Sequence, residues 1–499
     1  MGSRILLLNA NRCAAPDPVF PLGLSYLSAA LRQAGHECLW LDRLADETRG
    51  RAASTSKRDT GGEFAELLRS ARPDFAAISL RNIDDVLIRK RETFFDELPA
   101  LVATVRQNTR SSVILGGSAF SLFPQRLMEL AGADFGIIGE GESSLLALIA
   151  ALTKRESYDR IPGLVFRNQD GLVQNPPEPE PVAWPLAAAD RPERLTEHYL
   201  RTGSMLNVQT QRGCPQTCCY CTYPLIEGRQ HRCRPADMVA EEFEQLQKLG
   251  ARYVFIVDSV FNSSPQHVTE VCEALLRRKN KLPWGCFLRP QGLTPELMAL
   301  MSRAGLTHIE FGSDSFCDSV LEAYRKHLTF DDIYQSSELA SKANVDFCHF
   351  VIAGGPGETP ATLDAGFANS QRLHRAVIMA VVGMRIYPGT RLFAQAVAEG
   401  RLPADADLLT PAYYLAPGLT SELIFSRLQA FARRAPNWIP GDADAAFLNL
   451  VSRLRQRGVA GPLWSYFSTI QRLWPRGFAG AGSSPLDGSV KSASPGALS

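Results

Sequence analysis

The stretch that decides the fold of this chain is Gln211-Arg212-Gly213-Cys214-Pro215-Gln216-Thr217-Cys218-Cys219-Tyr220-Cys221. Three of its cysteines, Cys214, Cys218 and Cys221, stand at C-x3-C-x2-C spacing. Thiolates are the usual ligands of iron–sulfur clusters, so three on one tight loop can hold three irons of a cubane cluster. The fourth iron then stays open to a small molecule. Cys219 lies between two of these cysteines and is expected not to be a ligand.

The cysteines allow two other interpretations. A zinc site prefers four protein ligands, and Cys219 could in principle supply the fourth. However, adjacent cysteines rarely point at one metal, and no second Cys or His pair follows at zinc-finger spacing. A disulfide framework fits poorly, because there is no signal peptide and the other cysteines are scattered singly. A zinc-bound or degenerate scaffold therefore stays open as the non-enzymatic alternative to the cluster.

Length and composition bound the possible classes of protein. The chain has 499 residues, which predicts two to four domains. Its net charge of +1 argues against a nucleic-acid-binding surface. No apolar run is long enough to predict a membrane span, and the N-terminus enters a strand pattern without an export signal. Eleven cysteines in such a chain indicate a reducing, cytoplasmic setting.

The first 150 residues alternate between strand and helix patterns. This alternation predicts a doubly wound, Rossmann-like parallel sheet, which binds ligands at the carboxyl ends of its strands. Short apolar runs predict those strands at 4–9, 38–42, 75–80, 112–117 and 135–142. The candidate ligand contacts at their carboxyl ends are Asn9, Ser79, Asn82, Gly116, Gly117, Gly139, Glu140 and Gly141.

Three segments of this region, residues 21–37, 116–124 and 139–142, resemble the cobalamin-binding domain that precedes many radical S-adenosylmethionine (SAM) enzymes. The resemblance covers most of residues 1–150, and the domain is predicted at 1–165. The Asp-x-His-x-x-Gly motif that supplies an axial histidine to cobalt in other cobalamin proteins is absent. His36 is the only histidine in this domain, and it is expected to face solvent. The resemblance therefore implies cobalamin with no histidine on cobalt.

A linker is predicted at 166–200, and residues 201–405 then resemble the radical SAM core. The cysteine loop follows the first strand, and Gly354-Gly355-Pro356-Gly357-Glu358-Thr359 is similar to the signature that ends the fifth. The resemblance implies a partial (β/α)6 barrel in which SAM chelates the open iron. The chain departs from its relatives at two of these positions. Ser259 stands where they carry a second acid, and Asp314 stands where they carry Glu. The residues expected around SAM are Tyr220, Asp258, Ser259, Arg289, Asp314, Ser315, Gly354 and Arg385.

The C-terminal part divides into two regions. Residues 406–475 carry aromatic residues on helical patterns, which predicts a small helical cap over the barrel. Residues 476–499 consist mainly of small residues and proline, so they are predicted to be disordered.

Both resemblances together imply a cobalamin-dependent radical SAM enzyme with a [4Fe-4S] cluster, SAM and cobalamin as cofactors. Reductive cleavage of SAM to a 5′-deoxyadenosyl radical is implied, followed by C-methylation of an unactivated carbon. The substrate is expected to be a small biosynthetic molecule, either lipid-like or a natural product. The alternative is a cyclase or rearrangement enzyme that uses the same cofactors without methyl transfer. A reductant protein such as flavodoxin or ferredoxin is the expected partner.

Overall fold

The computed structural model describes residues 2–13, 17–45, 60–177, 188–203, 205–441, 453–455 and 457–466. The predicted tail at 476–499 lies outside these ranges. Two seven-stranded sheets organise the described residues, one in each half of the chain. The α/β class and the parallel sheets predicted from the sequence are therefore confirmed.

The N-terminal sheet has the strand order β2-β1-β3-β4-β5-β6-β7, and its first five strands run parallel. This order is that of a doubly wound sheet of the flavodoxin type. The elements are β1 Arg4–Asn9, α1 Leu22–Gln33, β2 Glu37–Asp42, α2 Thr60–Ala71, β3 Phe75–Ser79, α3 Leu98–Asn108, β4 Ser112–Gly116, α4 Ser118–Leu122, α5 Pro124–Ala131, β5 Phe135–Ile137, α6 Glu142–Lys154, β6 Leu164–Asn168 and β7 Gly171–Gln174.

The strands β6 and β7 form an antiparallel hairpin that extends this sheet beyond the predicted domain boundary. The boundary predicted at residue 165 falls inside β6, and the linker predicted to begin at 166 starts with sheet residues. Leu164, Val165 and Phe166 are buried against the sheet. The sequence does not predict this pairing, because only three residues of β6 are apolar and so short a run carries little periodicity.

The second sheet is a partial barrel in which β8, β11, β12, β13, β14 and β15 follow one another in chain order. All of these strands are parallel, as predicted for six βα units. Its elements are α7 Glu193–Gly203, β8 Leu206–Val208, β9 Gln211–Arg212, α8 Tyr223–Ile226, β10 Arg232–Cys233, α9 Ala236–Lys248, β11 Val254–Ile256, α10 Pro265–Arg277, β12 Trp284–Leu288, α11 Pro295–Arg303, β13 Leu306–Asp314, α12 Asp318–Ala323, α13 Phe330–Lys342, β14 Asp346–Ala353, α14 Pro360–Ser370, β15 Val377–Val382, β16 Met384–Arg385 and α15 Arg391–Ala398.

The C-terminal region contains strands as well as the predicted helical structure. It contains β17 Tyr413–Tyr414, α16 Ser421–Ala432 and β18 Trp438–Pro440. The strand β18 pairs in parallel with β15 and becomes the seventh strand of the barrel sheet. An open barrel leaves the edge of its last strand unpaired, and β18 covers that edge.

The two halves of the molecule share one continuous apolar core, and buried ion pairs cross their boundary. Arg385 Nε lies 2.8 Å from Asp84 Oδ2, and both side chains are almost completely buried. The remaining guanidinium nitrogens of Arg385 donate to the carbonyls of Ile386 and Leu408. Arg385 was expected near SAM, but the structure uses its guanidinium to join the barrel to the N-terminal domain.

Replacement of Asp84 by Ala is expected to destabilise the protein, because it leaves the Arg385 guanidinium buried without its counter-ion. Breaking a buried pair in this way costs about 3–5 kcal/mol. Urea unfolding measures the loss. The matched control is Asp364→Ala, which removes an exposed ion pair with Arg427 and should cost about 1 kcal/mol or less. Equal losses in the two variants would contradict the assigned role of Asp84.

Candidate active site

The cysteine loop is positioned by the backbone at the carboxyl end of β8. Its entry strand β9 pairs with β10, and Cys214 N donates to Gly228 O at 3.0 Å. Gly213 has φ +87°, and a Cβ there would lie 1.9 Å from Gln230 O. Only glycine fits that position. Ser259, which was expected near SAM, donates from Oγ to Gly213 O at 3.2 Å and so braces the same turn.

The three cysteines at cluster spacing lie close to one another. Cys214 is buried, whereas Cys218 and Cys221 are half-buried. Burial raises the pKa of the Cys221 thiol to about 12, and the neighbouring Cys218 and Cys214 add to that rise. No three His, Cys, Asp or Glu side chains in the described ranges could hold a single metal ion. A cubane requires a different arrangement, because each thiolate binds a separate iron, and the three-thiol loop fits it.

Cys219 is anchored through its backbone and buried in the apolar core. Its N–H donates to Tyr324 O at 3.0 Å, and its carbonyl accepts from Leu392 N at 2.8 Å. The side chain is 3% exposed and packs in the apolar core. This placement supports the prediction that Cys219 is not a cluster ligand.

A group of charged side chains borders the cysteine loop on the barrel side. Tyr220 donates to Asp314 Oδ2 at 2.5 Å, and Lys326 Nζ lies 2.8 Å from the same oxygen. Asp314 has φ +65°, a conformation that few non-glycine residues adopt, at a bulge between β13 and β14. Arg289 donates to Gln216 Oε1 at 3.0 Å within the cysteine loop. Tyr220, Arg289 and Asp314 are thus brought together at the loop, and their contacts with SAM stay predictions.

Asp258 has a structural environment that differs from the predicted SAM contact. Its carboxylate is fully buried and accepts hydrogen bonds from the backbone N–H groups of Thr210 and Gln211, at 2.6 and 3.2 Å. The Thr210 hydroxyl donates to the other oxygen at 2.5 Å. Burial raises the pKa of Asp258 to about 7, although these bonds oppose the rise. The side chain therefore fixes the backbone that leads into the cysteine loop.

Two further residues that were predicted to contact SAM make contacts with neighbouring protein groups. Ser315 Oγ accepts from Cys317 N at 3.2 Å, which closes the turn after β13. Gly354 has φ +99°, and a Cβ there would lie 2.7 Å from Ile424 Cδ1 and 2.8 Å from Leu415 Cδ2. Packing against the C-terminal region accounts for this glycine.

At the carboxyl edge of the N-terminal sheet, Asn9 is closed off by its neighbours. Its side-chain amide donates to Asp42 Oδ2 at 2.9 Å, and Tyr199 donates to the same oxygen at 2.9 Å. Asn9 is 3% exposed, so this hydrogen-bonded network buries the polar side chains at the ends of β1 and β2. Gly117 is also explained by packing, because a Cβ there would lie 2.5 Å from Leu80 O.

Glu140 was predicted to contact a cofactor, but its carboxylate pairs with two arginines. Its carboxylate accepts from Arg212 Nη1 and Arg232 Nη1, both at 2.8 Å, and Glu142 accepts from Arg212 Nη2 at 2.7 Å. Burial alone would raise the pKa of Glu140, but the two guanidiniums outweigh burial and the net shift is downward. This carboxylate–guanidinium cluster docks the strand-end loop of the N-terminal domain onto the entry of the cysteine loop.

The rest of this edge is compatible with a large planar ligand. Ser79, Asn82, Gly116, Gly139 and Gly141 are half-buried there. Two buried polar atoms at the edge, Asn11 Oδ1 and Arg81 Nε, have no hydrogen-bond partner among the described residues. Buried polar groups are normally paired, so these atoms point to a bound group with polar substituents. Neither residue is among the candidate contacts given above, although Arg81 directly follows the strand predicted at 75–80 and Asn11 lies two residues after the strand predicted at 4–9.

His36 lies at the opposite edge of this sheet. It immediately precedes β2, at the amino end of the strands, and its Nδ1 accepts from Ser3 N at 3.1 Å. Ligands of a doubly wound sheet bind at the carboxyl ends. The position of His36 thus supports a cobalt site without this histidine, although the ring contacts the backbone and is only half-exposed.

Two family models match the chain, one on each sheet. The B12 binding domain matches residues 11–149, and the Radical SAM superfamily matches residues 208–365. The chain is a cobalamin-dependent radical SAM enzyme. The enzyme's cofactors are accordingly a [4Fe-4S] cluster, SAM and cobalamin. Among its described residues, no helix is long and apolar enough to cross a membrane.

The enzyme is similar to proteins of two activities. Tryptophan 2-C-methyltransferase of Streptomyces laurentii is 25% identical over 458 residues, covering 79% of this chain and 74% of that protein. Anaerobic magnesium-protoporphyrin IX monomethyl ester cyclase of Cereibacter sphaeroides is 25% identical over 357 residues, covering 69% of this chain and 55% of that protein. The structure of the methyltransferase TsrM of Kitasatospora setae, with cobalamin and a [4Fe-4S] cluster bound, matches with a TM-score of 0.83. It covers 96% of this chain and 100% of TsrM at 23% identity, which shows a shared fold.

Replacement of Cys214, Cys218 or Cys221 by Ala is expected to abolish cluster binding, because each thiolate holds one iron. Cys219→Ala removes a thiol that is buried in the apolar core and should retain the cluster. Iron and sulfide content after anaerobic reconstitution measures the difference. A loss of iron in Cys219→Ala equal to that in Cys218→Ala would show that the ligand set is wrong.

Replacement of Asp258 by Ala should destabilise the folded enzyme, because it leaves the buried N–H groups of Thr210 and Gln211 without an acceptor. The expected loss is about 1–3 kcal/mol for each unpaired group. Asp258→Asn keeps one acceptor oxygen and should lose less. Urea unfolding and SAM titration of the reconstituted enzyme distinguish support of the backbone from direct contact with SAM. Unchanged stability with weakened SAM binding would show that Asp258 contacts SAM and would contradict the structural role.

Proposed function

We propose that this enzyme transfers a methyl group from SAM to an unactivated carbon of a small biosynthetic substrate. The observation that carries the proposal is the docking of the cobalamin-binding edge onto the cysteine loop. Glu140 and Glu142 belong to the N-terminal domain, whereas Arg212 and Arg232 flank the cluster cysteines. Methyl transfer requires both cofactors to reach one substrate, and this docking brings their binding regions together.

Tyr223 is an exposed side chain beside the cysteine loop. It begins α8, two residues after Cys221, and 41% of its surface is exposed. Nevertheless, burial raises the pKa of its hydroxyl well above the usual value, with Cys221 adding to the rise and Arg81 opposing it. Its helix also meets the N-terminal domain, because a Cβ on Gly139 would lie 3.7 Å from Ile226 O. Tyr223 would therefore contact a substrate between the cluster and the cobalamin edge.

The cofactors supply the chemistry, namely electron transfer to SAM and carriage of a methyl group, while the chain orients them. Cys214, Cys218 and Cys221 would hold the cluster. Arg289 and Lys326 place positive charge beside these thiolates, and Tyr220 keeps Asp314 in position. The half-buried glycines Gly116, Gly139 and Gly141 and the unpaired Arg81 Nε would contact cobalamin.

Electron delivery requires a reductant, and we propose flavodoxin or ferredoxin as the partner class. These proteins are low-potential donors of a reducing compartment, which fits the eleven cysteines and the cluster loop. We accordingly place the enzyme in the cytoplasm.

The cyclase alternative rests on the similarity to the anaerobic cyclase, which covers 69% of the chain. A cyclase would use SAM only as a radical source. A methyltransferase of this type consumes SAM in two ways, because one molecule gives the radical and another gives the methyl group. The products released from SAM therefore distinguish the two functions.

Holoenzyme given SAM and a low-potential reductant is expected to release both 5′-deoxyadenosine and S-adenosylhomocysteine. The S-adenosylhomocysteine should disappear when the protein is reconstituted with the cluster but without cobalamin. Liquid chromatography with mass spectrometry quantifies both products. Release of 5′-deoxyadenosine alone from fully loaded enzyme would favour the cyclase function and contradict methyl transfer.

A further inference from the structure

Half-exposed side chains alternate with buried ones on neighbouring barrel strands. In β14 the half-exposed residues are Phe350 and Ile352, and in β15 they are Met379 and Val381. Phe287 of β12 follows the same pattern. Successive side chains of a strand point to opposite faces, and His349, on the other face of β14, lies 3.1 Å from Ser337 Oγ of the outer helix α13. The half-exposed set therefore faces a solvent-accessible space inside the barrel, called here the barrel chamber.

The C-terminal segment closes one end of the barrel chamber. Trp464 packs against Cys348, Val377 and Ile439, with Phe350 and Met379 beside them. A buried ion pair anchors the segment, because Arg455 Nε and Nη2 lie 2.8 and 2.7 Å from the Asp17 carboxylate. Trp464 therefore forms the floor of the barrel chamber.

One carboxyl group lies at this floor. Glu310 is half-buried on β13, opposite Phe287 and Cys348 in the strand register. Its Oε1 accepts from Trp464 Nε1 at 2.9 Å, whereas its Oε2 has no partner among the described residues. Burial raises the pKa of Glu310 to about 7, with Trp464 opposing and Asp17 adding to the rise.

The surroundings of Glu310 lack a counter-ion in the described part of the chain. The nearby His308 is neutral at physiological pH, because burial lowers its pKa to about 4. Arg455 is committed to Asp17. A carboxylate among apolar walls, with one oxygen unpaired, gains most from a ligand that brings a positive charge.

We propose that the barrel chamber binds a small substrate with an apolar body and a protonated amine, and that the amine pairs with Glu310. The apolar walls, Phe287, Phe350, Ile352, Met379 and Val381, hold the body. The amine end then lies at the floor, and the opposite end of the molecule points toward the cysteine loop. This inference rests on the proposed function, because it takes the methyl acceptor to lie in the barrel.

Anaerobically reconstituted holoenzyme is titrated calorimetrically with 2-phenylethylamine and with 3-phenylpropionate, two probes of similar size and opposite charge. The amine is expected to bind at least about tenfold more tightly, which corresponds to about 1.4 kcal/mol. Glu310→Gln keeps an acceptor for Trp464 but removes the charge, and it should erase this preference. Glu322→Gln, on the exposed face of α12, is the matched control and should leave both affinities unchanged.

A second variant tests the chamber itself. Ile352→Trp fills the space and should prevent binding of 2-phenylethylamine while the iron content stays unchanged. Equal amine binding in wild type and Glu310→Gln, or unchanged binding in Ile352→Trp, would overturn the inference.

The product assay on the same samples separates this inference from the proposed function. If wild-type enzyme releases S-adenosylhomocysteine but binds no amine probe, the inference fails and methyl transfer stands. If the amine binds through Glu310 and no S-adenosylhomocysteine is released, the chamber is supported and methyl transfer fails.

Discussion

The buried carboxylate–guanidinium cluster of Glu140, Glu142, Arg212 and Arg232 is the constraint on which the arrangement of this enzyme depends. Two negative and two positive side chains meet at the boundary between the sheets, so their formal charges balance. Buried ions are tolerated only when they are paired and hydrogen-bonded, and this requirement fixes how the halves dock. Because Arg212 is two residues from Cys214, the same contacts that orient the domains also orient the cluster loop.

A second layer of buried polar contacts fixes the cysteine loop from the barrel side. Asp258 accepts hydrogen bonds from the backbone just before the loop and from the Thr210 hydroxyl. The same hydroxyl also lies 2.9 Å from His267 Nε2. Burial lowers the pKa of His267 to about 4, so the ring is neutral and adds no charge. The loop is therefore clamped by hydrogen bonds on one side and by ion pairs on the other, which leaves its cysteines little freedom to rearrange.

The sequence was sufficient where a local pattern determines the structure. The strands at 4–9 and 112–116 follow from continuous apolar runs. The hairpin β6–β7 and the strand β18 were missed, because each exists through pairing with a distant strand edge. The same limit applies to the site. Spacing identifies Cys214, Cys218 and Cys221, but it does not tell whether Asp258 faces a ligand or the backbone.

Two polar residues whose roles the sequence did not predict share one property, since each owes its role to a partner far along the chain. Glu310 depends on Trp464, and Arg385 takes its counter-ion from Asp84 in the other domain. A carboxylate within an apolar strand is costly unless some partner satisfies it. Asp84 has the guanidinium of Arg385 as its counter-ion, and Arg385 also donates to two carbonyls, whereas Glu310 receives one hydrogen bond from an uncharged indole. This difference separates a carboxylate that holds the fold together from one that stays available to a ligand.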